Sequence, residues 1–245
     1  MHESGTSMGV EFHHPSASFQ KSVIDASHAA GLVAVAHATC LQDHLTVLNA
    51  GVDGLTHTFL DQMPTDELVQ AYKRKNAWLN PTLAAMGSLT TEGQAEQEQF
   101  ANHPLAKKHL SEQGIQNMCR CMGFRGPQAK VEHAYESVRV LKKAGIDIVT
   151  GSDAAGPALG TAWGLSLHHE LWLLVNKCGF TPEEALRSAT SVTAKRFGFS
   201  DRGVLEKGRR ADLLLVEGNP LQKLDDTLEI RGVWREGVCA AGYEA

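Results

Sequence analysis

A chain of 245 residues, 42% hydrophobic and 21% charged, with a formal net charge of −5, has the composition of an ordinary globular protein. The negative balance, without basic runs interleaved with aromatics, speaks against a nucleic-acid partner, and no apolar run approaches the length that crosses a membrane. Five cysteines (Cys40, Cys119, Cys121, Cys178 and Cys239), odd in number and without Cys-x-x-Cys spacing, point to reduced thiols in a cytoplasmic protein, with Cys119-x-Cys121 a weak metal or redox candidate.

Met1 to Pro15 reads as a loop, and its opening MHESGTS has neither the basic segment nor the apolar core of a signal peptide. His13 and His14 are candidates for substrate contact, because loops that follow barrel strands build the mouth of a barrel. Gly5-Thr6-Ser7-Met8-Gly9 fits the spacing of a serine-hydrolase elbow but lacks the strand before and the helix after that the elbow needs. From Ser16 or Ser18 a serine-capped helix runs to Ala30, with an apolar stripe through Val23 and Ile24.

Leu32 to Ala36 is an uncharged apolar run, as expected of a parallel strand buried on both faces, and it stops on His37. Leu41, Leu45 and Leu48 recur at helical spacing until Asn49-Ala50-Gly51 closes the helix. A second short strand then stops on His57, which places both imidazoles at one end of a parallel sheet. His28 and His44 belong to helices and read as surface or interface residues.

Pro64-Thr65-Asp66-Glu67-Leu68 starts a helix that ends near Asn76, and Ala77 to Leu83 reads as a strand that loosens at Pro81. Ala84 to Gly126 is rich in Gln, Glu, His and Asn, with helix around Glu92 to Ala101 and Leu105 to Met122; it reads either as a lid over the site or as a mobile surface excursion. Pro127 to Ala144 is an amphipathic helix with Lys142 and Lys143 at its carboxyl end. Ile146, Ile148 and Val149 form another strand, with Asp153 just past its end; an acid held there can bind metal and take a proton from water.

A loop of small residues from Ala154 to Trp163 leads into a helix from Leu165 to Lys177. His168-His169-Glu170 is not a zinc-protease motif, since Leu173 stands where the second histidine belongs. Thr181-Pro182-Glu183-Glu184 is a capping-box start for a helix that stops at Gly198. Gly203 to Gly237 alternates turns with strand-like pieces at Ala211 to Val216 and Ile230 to Trp234.

The ordered set VAVAHA, GLTHTF, VTGSDA, FTPEEALRSATSVTAKRFG and GVLEKGRRADLLLVEGNP resembles the amidohydrolase superfamily, in particular its imidazolonepropionase-like and Xaa-Pro-dipeptidase-like branch. The resemblance implies that His37 and His57 are metal ligands on the fifth and sixth barrel strands, and that Asp153 is the eighth-strand ligand and general base. It also implies hydrolysis of amide, ester or related bonds in a small-molecule substrate with a divalent metal, zinc first and manganese or iron as alternatives. The family's first-strand His-x-His and fourth-strand carboxylated lysine have no counterpart, and MHESGTSMG resembles the segment just after that lysine.

The length matches the roughly 250 residues of a complete barrel, yet only four strand-helix units can be counted. The expected fold is therefore α/β: residues 1–200 as the C-terminal half of a TIM-type (β/α)8 barrel, and 201–245 as a C-terminal segment of a small β-sandwich. Such a half leaves open edges, so a homo-oligomer or a separate N-terminal half is expected to cover them. The alternatives to a hydrolase are a non-catalytic remnant or subunit, and a lyase or dehydratase on the same scaffold.

Overall fold

The computed structural model describes residues 3–155 and 158–243; Gly156 and Pro157, in the small-residue loop, lie outside the described residues. Helix α1 (Ala17–Ala29) starts where the Phe19 amide donates to the Ser16 hydroxyl at 3.2 Å, the cap that the sequence calls for. Then follow β1 (Val35–His37), α2 (Leu41–Ala50), β2 (Gly54–Thr56), α3 (Asp66–Lys75) and β3 (Trp78–Asn80). Thr65 caps α3 through the Leu68 amide, and Asn76 ends it in the left-handed conformation that asparagine tolerates.

Strands β1, β2 and β3 lie parallel in that order, joined by α2 and α3 as crossovers. A fourth stretch continues the sheet: the Leu79 amide donates to the Asp147 carbonyl at 3.1 Å, and the Val149 amide to the Leu79 carbonyl at 2.9 Å. The carboxyl ends of all four stretches therefore face one way. Gly54 is required where it stands, because a Cβ there would overlap the Trp78 indole.

One expectation fails at the first strand. Leu32, Val33 and Val35 are 62%, 45% and 40% exposed, and pairing begins only at Val35. Among the described residues β1 is the outermost strand of the sheet and pairs with β2 alone, so the apolar run is covered on one side only. Beside it a hollow of about 270 Å³ runs between β1 and α1, lined by Phe19, Val23, Val33 and Val35. The α1 stripe is open with it: Ile24 is buried but Val23 is half exposed.

After β3 the chain forms α4 (Leu83–Thr90), α5 (Gln94–Ala101), α6 (Pro104–Lys107), α7 (Glu112–Met118), α8 (Val131–Lys143) and α9 (Leu165–Cys178). α4 is buried almost throughout, so the Ala84 to Gly126 stretch starts in the core, while much of it beyond Thr90 lies at the surface. Leu83 to Met86 join the main core with Leu55, Leu79, Tyr72 and Val138, and Phe100, Ala106 and Met118 form a second cluster with Leu165 and Leu228. α10 (Pro182–Arg187) carries the expected capping box, Thr181 with Glu184; a π-helical turn then leads into α11 (Thr193–Arg196).

The remaining strands, β4 (Leu213–Val216), β5 (Ile230–Arg235) and β6 (Val238–Cys239), make a separate antiparallel sheet in that order. Leu213, Leu214 and Leu215 are all exposed in it. Among the described residues no helix is long and apolar enough to cross a membrane.

Candidate active site

The parallel sheet delivers the strand-end residues to one mouth. His37 is the last residue of β1, and His57 follows β2 by one position, where φ of 70° turns the chain sharply out of the sheet. Asp153, past the fourth stretch, also has a positive φ, 51°. Such backbone is uncommon outside glycine, and here it falls on two of the three side chains expected at the site. The His37 and His57 rings meet edge to face with centroids 4.6 Å apart, and His57 Nε2 stands 3.8 Å from Asp153 Oδ2.

Each of these side chains has its own support. The His57 ring is turned by its Nδ1, which lies 2.6 Å from the Thr82 hydroxyl, so that Nε2 faces Asp153. Burial first, and the nearby His37 ring second, push the His57 imidazole down to about 3, so it is neutral at ordinary pH. Burial raises the Asp153 carboxyl above its usual range, against a smaller pull from His37. A carboxylate with raised proton affinity beside a neutral imidazole is suited to accepting a proton.

Glu3 is a residue of the mouth that no local sequence pattern marks. Its Oε2 lies 3.1 Å from His37 Nε2 and accepts the Thr39 hydroxyl at 2.6 Å, while Oε1 accepts the Gly5 amide at 2.7 Å. Burial raises the Glu3 carboxyl, but the bonds from His37, Thr39 and Gly5 outweigh it and leave the group below the usual range. The Ser7 hydroxyl donates to the Thr39 carbonyl and the Gly126 amide to the Ser7 carbonyl, so this N-terminal segment ties the end of β1 to the stretch before α8. Ser7 is buried in that role, and the elbow-like spacing around it carries no chemistry.

His13 and His14 lie in the loop before α1. They line a surface hollow of about 620 Å³ with Cys40, Gln42 and Asp61, beside the start of α2. All five cysteines are free; Cys119 and Cys121 bond to different neighbours, Asn102 and Gln97, and burial raises both thiols, which disfavours the thiolate that metal or redox chemistry needs. Asn80, at the end of β3, packs its amide against Gly151, and its buried Oδ1 has no hydrogen-bond partner among the described residues.

The sequence profile of the Amidohydrolase family matches residues 3–240. This chain belongs to the amidohydrolase family. It is 36% identical to the imidazolonepropionase of Deinococcus deserti over 102 residues, 40% of this chain and 25% of that protein. To the imidazolonepropionase of Nocardia farcinica it is 34% identical over 111 residues, 44% of this chain and 28% of that protein. Among solved structures, a prolidase candidate from Bifidobacterium longum superposes with a TM-score of 0.72 at 26% identity, covering 96% of this chain and 53% of the other. A Xaa-Pro dipeptidase with methionine bound in its active site gives 0.68 at 21% identity, covering 94% and 50%, a likeness of fold alone. The chain thus spans about half the length of these solved proteins.

The donor types at the mouth, neutral imidazole and carboxylate, suit a divalent ion. Two donors each about 2.1 Å from one tetrahedral ion stand about 3.4 Å apart, close to the 3.8 Å between His57 Nε2 and Asp153 Oδ2. His37 does not complete the set, because its Nε2 is engaged by Glu3. Among the described residues no group of three or more His, Cys, Asp or Glu side chains is placed to hold an ion. The residues fit part of a metal's coordination shell and not the whole of it.

Proposed function

We propose that this chain supplies one side of the active centre of a metal-dependent hydrolase, built on the last four strand-helix units of a barrel within residues 1–200, with 201–245 as an appended β segment. The observation that carries the reading is that His37, His57 and Asp153 meet at the carboxyl ends of parallel strands of one sheet. The metal, zinc or else manganese or iron, would be held by His57 and Asp153 with donors beyond them, and by His37 once its Nε2 turns from Glu3. Bound there, it supplies Lewis acidity, polarising a scissile carbonyl and bringing the pKa of water to about 7.

The protein's own residues do the rest. Asp153 accepts the proton of the attacking water and returns it to the leaving group. His57 presents Nε2 to the site while Nδ1 is kept occupied by Thr82. The substrate class is a small molecule with a cyclic amide or an amide bonded to a proline ring, taken from the names of the imidazolonepropionases and dipeptidases that the chain resembles. Five free thiols accord with a cytoplasmic setting.

The exposed apolar edge at Leu32, Val33 and Val35 favours a second reading, a subunit whose wall is completed by another polypeptide, a separate N-terminal half or a second copy. Hydrolysis of Xaa-Pro dipeptides and cyclic amides, followed together with metal content, separates the two. Metal-loaded protein is expected to turn over, and Asp153→Asn to lose about 10²–10⁴-fold of that turnover with metal retained. Unchanged turnover in Asp153→Asn removes Asp153 as the base, and no turnover by metal-loaded protein favours the subunit.

A further inference from the structure

Thr82 occupies the position from which a threonine ordinarily caps its own helix, directly before α4. It does not cap it. Its backbone is left-handed, φ 51° and ψ 47°, which a β-branched residue rarely adopts, and its side chain makes no bond to the α4 amides. The hydroxyl is turned instead to His57 Nδ1 at 2.6 Å. The first amides of α4 are taken by a residue far along the chain: Glu170 of α9 accepts Leu83 N–H at 2.7 Å and Ala84 N–H at 2.9 Å, one on each carboxylate oxygen.

Glu170 and Thr82 are both fully buried. A charged side chain is costly to enclose, and burial pushes this carboxyl up to about 8 against the opposing pull of the two amides. Without Glu170, the first amides of a buried helix would be unsatisfied, and the Thr82 hydroxyl could take the second of them, Ala84 N–H, once its backbone relaxes to the extended form that caps adopt. That relaxation would draw the hydroxyl away from His57.

We propose that Glu170 is a positioning residue for His57: by capping α4 in place of Thr82, it frees the Thr82 hydroxyl to hold Nδ1–H and leaves Nε2 as the nitrogen facing the site. This rests on the reading of His57 as a site residue. The pairing also explains a motif that has no metal role in the sequence, since the Glu of His168-His169-Glu170 serves as a remote helix cap.

Nitrogen-15 NMR of the histidine rings in the metal-free protein tests it, because Nδ1 and Nε2 report their protons separately. The spectra are taken above the pH at which Glu170 ionises, with His57→Gln to assign the signals. The expected wild-type spectrum shows His57 as a single tautomer with the proton on Nδ1. Glu170→Gln keeps one acceptor oxygen but sets an N–H against the other amide, and should turn that single tautomer into a mixture. Thr82→Val should do the same, Thr82→Ser should keep the wild-type spectrum, and Glu170→Gln added to Thr82→Val should change nothing further.

The His44 ring, buried and bonded to the Ala38 carbonyl at 3.2 Å, is the control for general loosening and should not move. Zn²⁺ affinity of Glu170→Gln is expected to fall about tenfold, the lower end of the range for residues that orient a ligand. Unchanged His57 signals in folded Glu170→Gln overturn the proposal, as does equal movement of His44. If Glu170→Gln does not fold, Glu170→Asp, which draws the carboxylate back, is read in the same way. If that fails too, a single Nδ1–H tautomer persisting in Thr82→Val overturns it. The spectra need neither metal nor turnover, so a protein that hydrolyses nothing can still uphold the positioning role, and an active one can still refute it.

Discussion

The two histidines at the mouth sit on strands of opposite character. β2 lies between two partners, with Leu55 fully buried, and its His57 is neutral and 5% exposed. β1 has one partner; Leu32, Val33 and Val35 are open to solvent, and the His37 side chain is 30% exposed and held by Glu3 from a loop. The same sequence pattern, a short apolar run ending in histidine, has produced a rigid arm and an open one. Burial here is decided by the neighbours that a strand acquires rather than by its own residues.

Acid should expose that contrast most strongly. Burial pushes the neutral His44, His168 and His169 down to about 4 from an ordinary 6.5. A folded-state value below the unfolded one gives stability that is present above pH 6.5 and lost as pH falls toward 4. Each proton is worth about 1.4 kcal/mol per pH unit, so urea midpoints should drop steeply across that window. Glu170 works in the opposite sense: raised to about 8 from 4.5, its contribution is full below pH 4.5 and fades as pH rises through 8. Glu170→Gln should therefore flatten the profile between pH 6.5 and 8 and steepen the acid fall between 6.5 and 4.5, where Glu170 opposes the histidines.

Truncations sharpen the comparison. Leu55→Ala in β2 should cost about 2–5 kcal/mol of unfolding free energy, the range for a buried leucine. Glu3→Ala, which orphans the Gly5 amide and the Thr39 hydroxyl, should cost about 1–3 kcal/mol. Leu32→Ala on the open edge should stay within about 0.5 kcal/mol. Urea unfolding measures all three, and a cost at Leu32 equal to that at Leu55 would mean that a partner covers β1 in solution.

Much of the mouth was legible because it depends on local signals. An apolar run, a terminal histidine and a following helix put His37 and His57 at one end of the sheet, and the strand at Ile146 to Val149 did the same for Asp153. The caps at Ser16 and Thr181 followed from residue type alone, and the acids Asp66 and Glu67 marked the start of α3 although its cap, Thr65, was not singled out. What surrounds the mouth was not legible. Glu3 reaches His37 across 34 positions and Glu170 reaches α4 across 86 and 87, with no periodicity to announce either. The exposure of Leu32 and Val33 and the burial of α4 went unread for the same reason, since composition cannot tell which faces the rest of the chain covers.

Anomalous diffraction at the zinc edge, on crystals of this protein soaked in Zn²⁺, tests most directly whether His37, His57 and Asp153 serve one metal-dependent centre. The expected result is a peak about 2.0–2.2 Å from His57 Nε2 and an Asp153 carboxylate oxygen, with His37 turned from Glu3 to meet it. A peak at the cysteines or at His13 and His14, with none between His57 and Asp153, would contradict it.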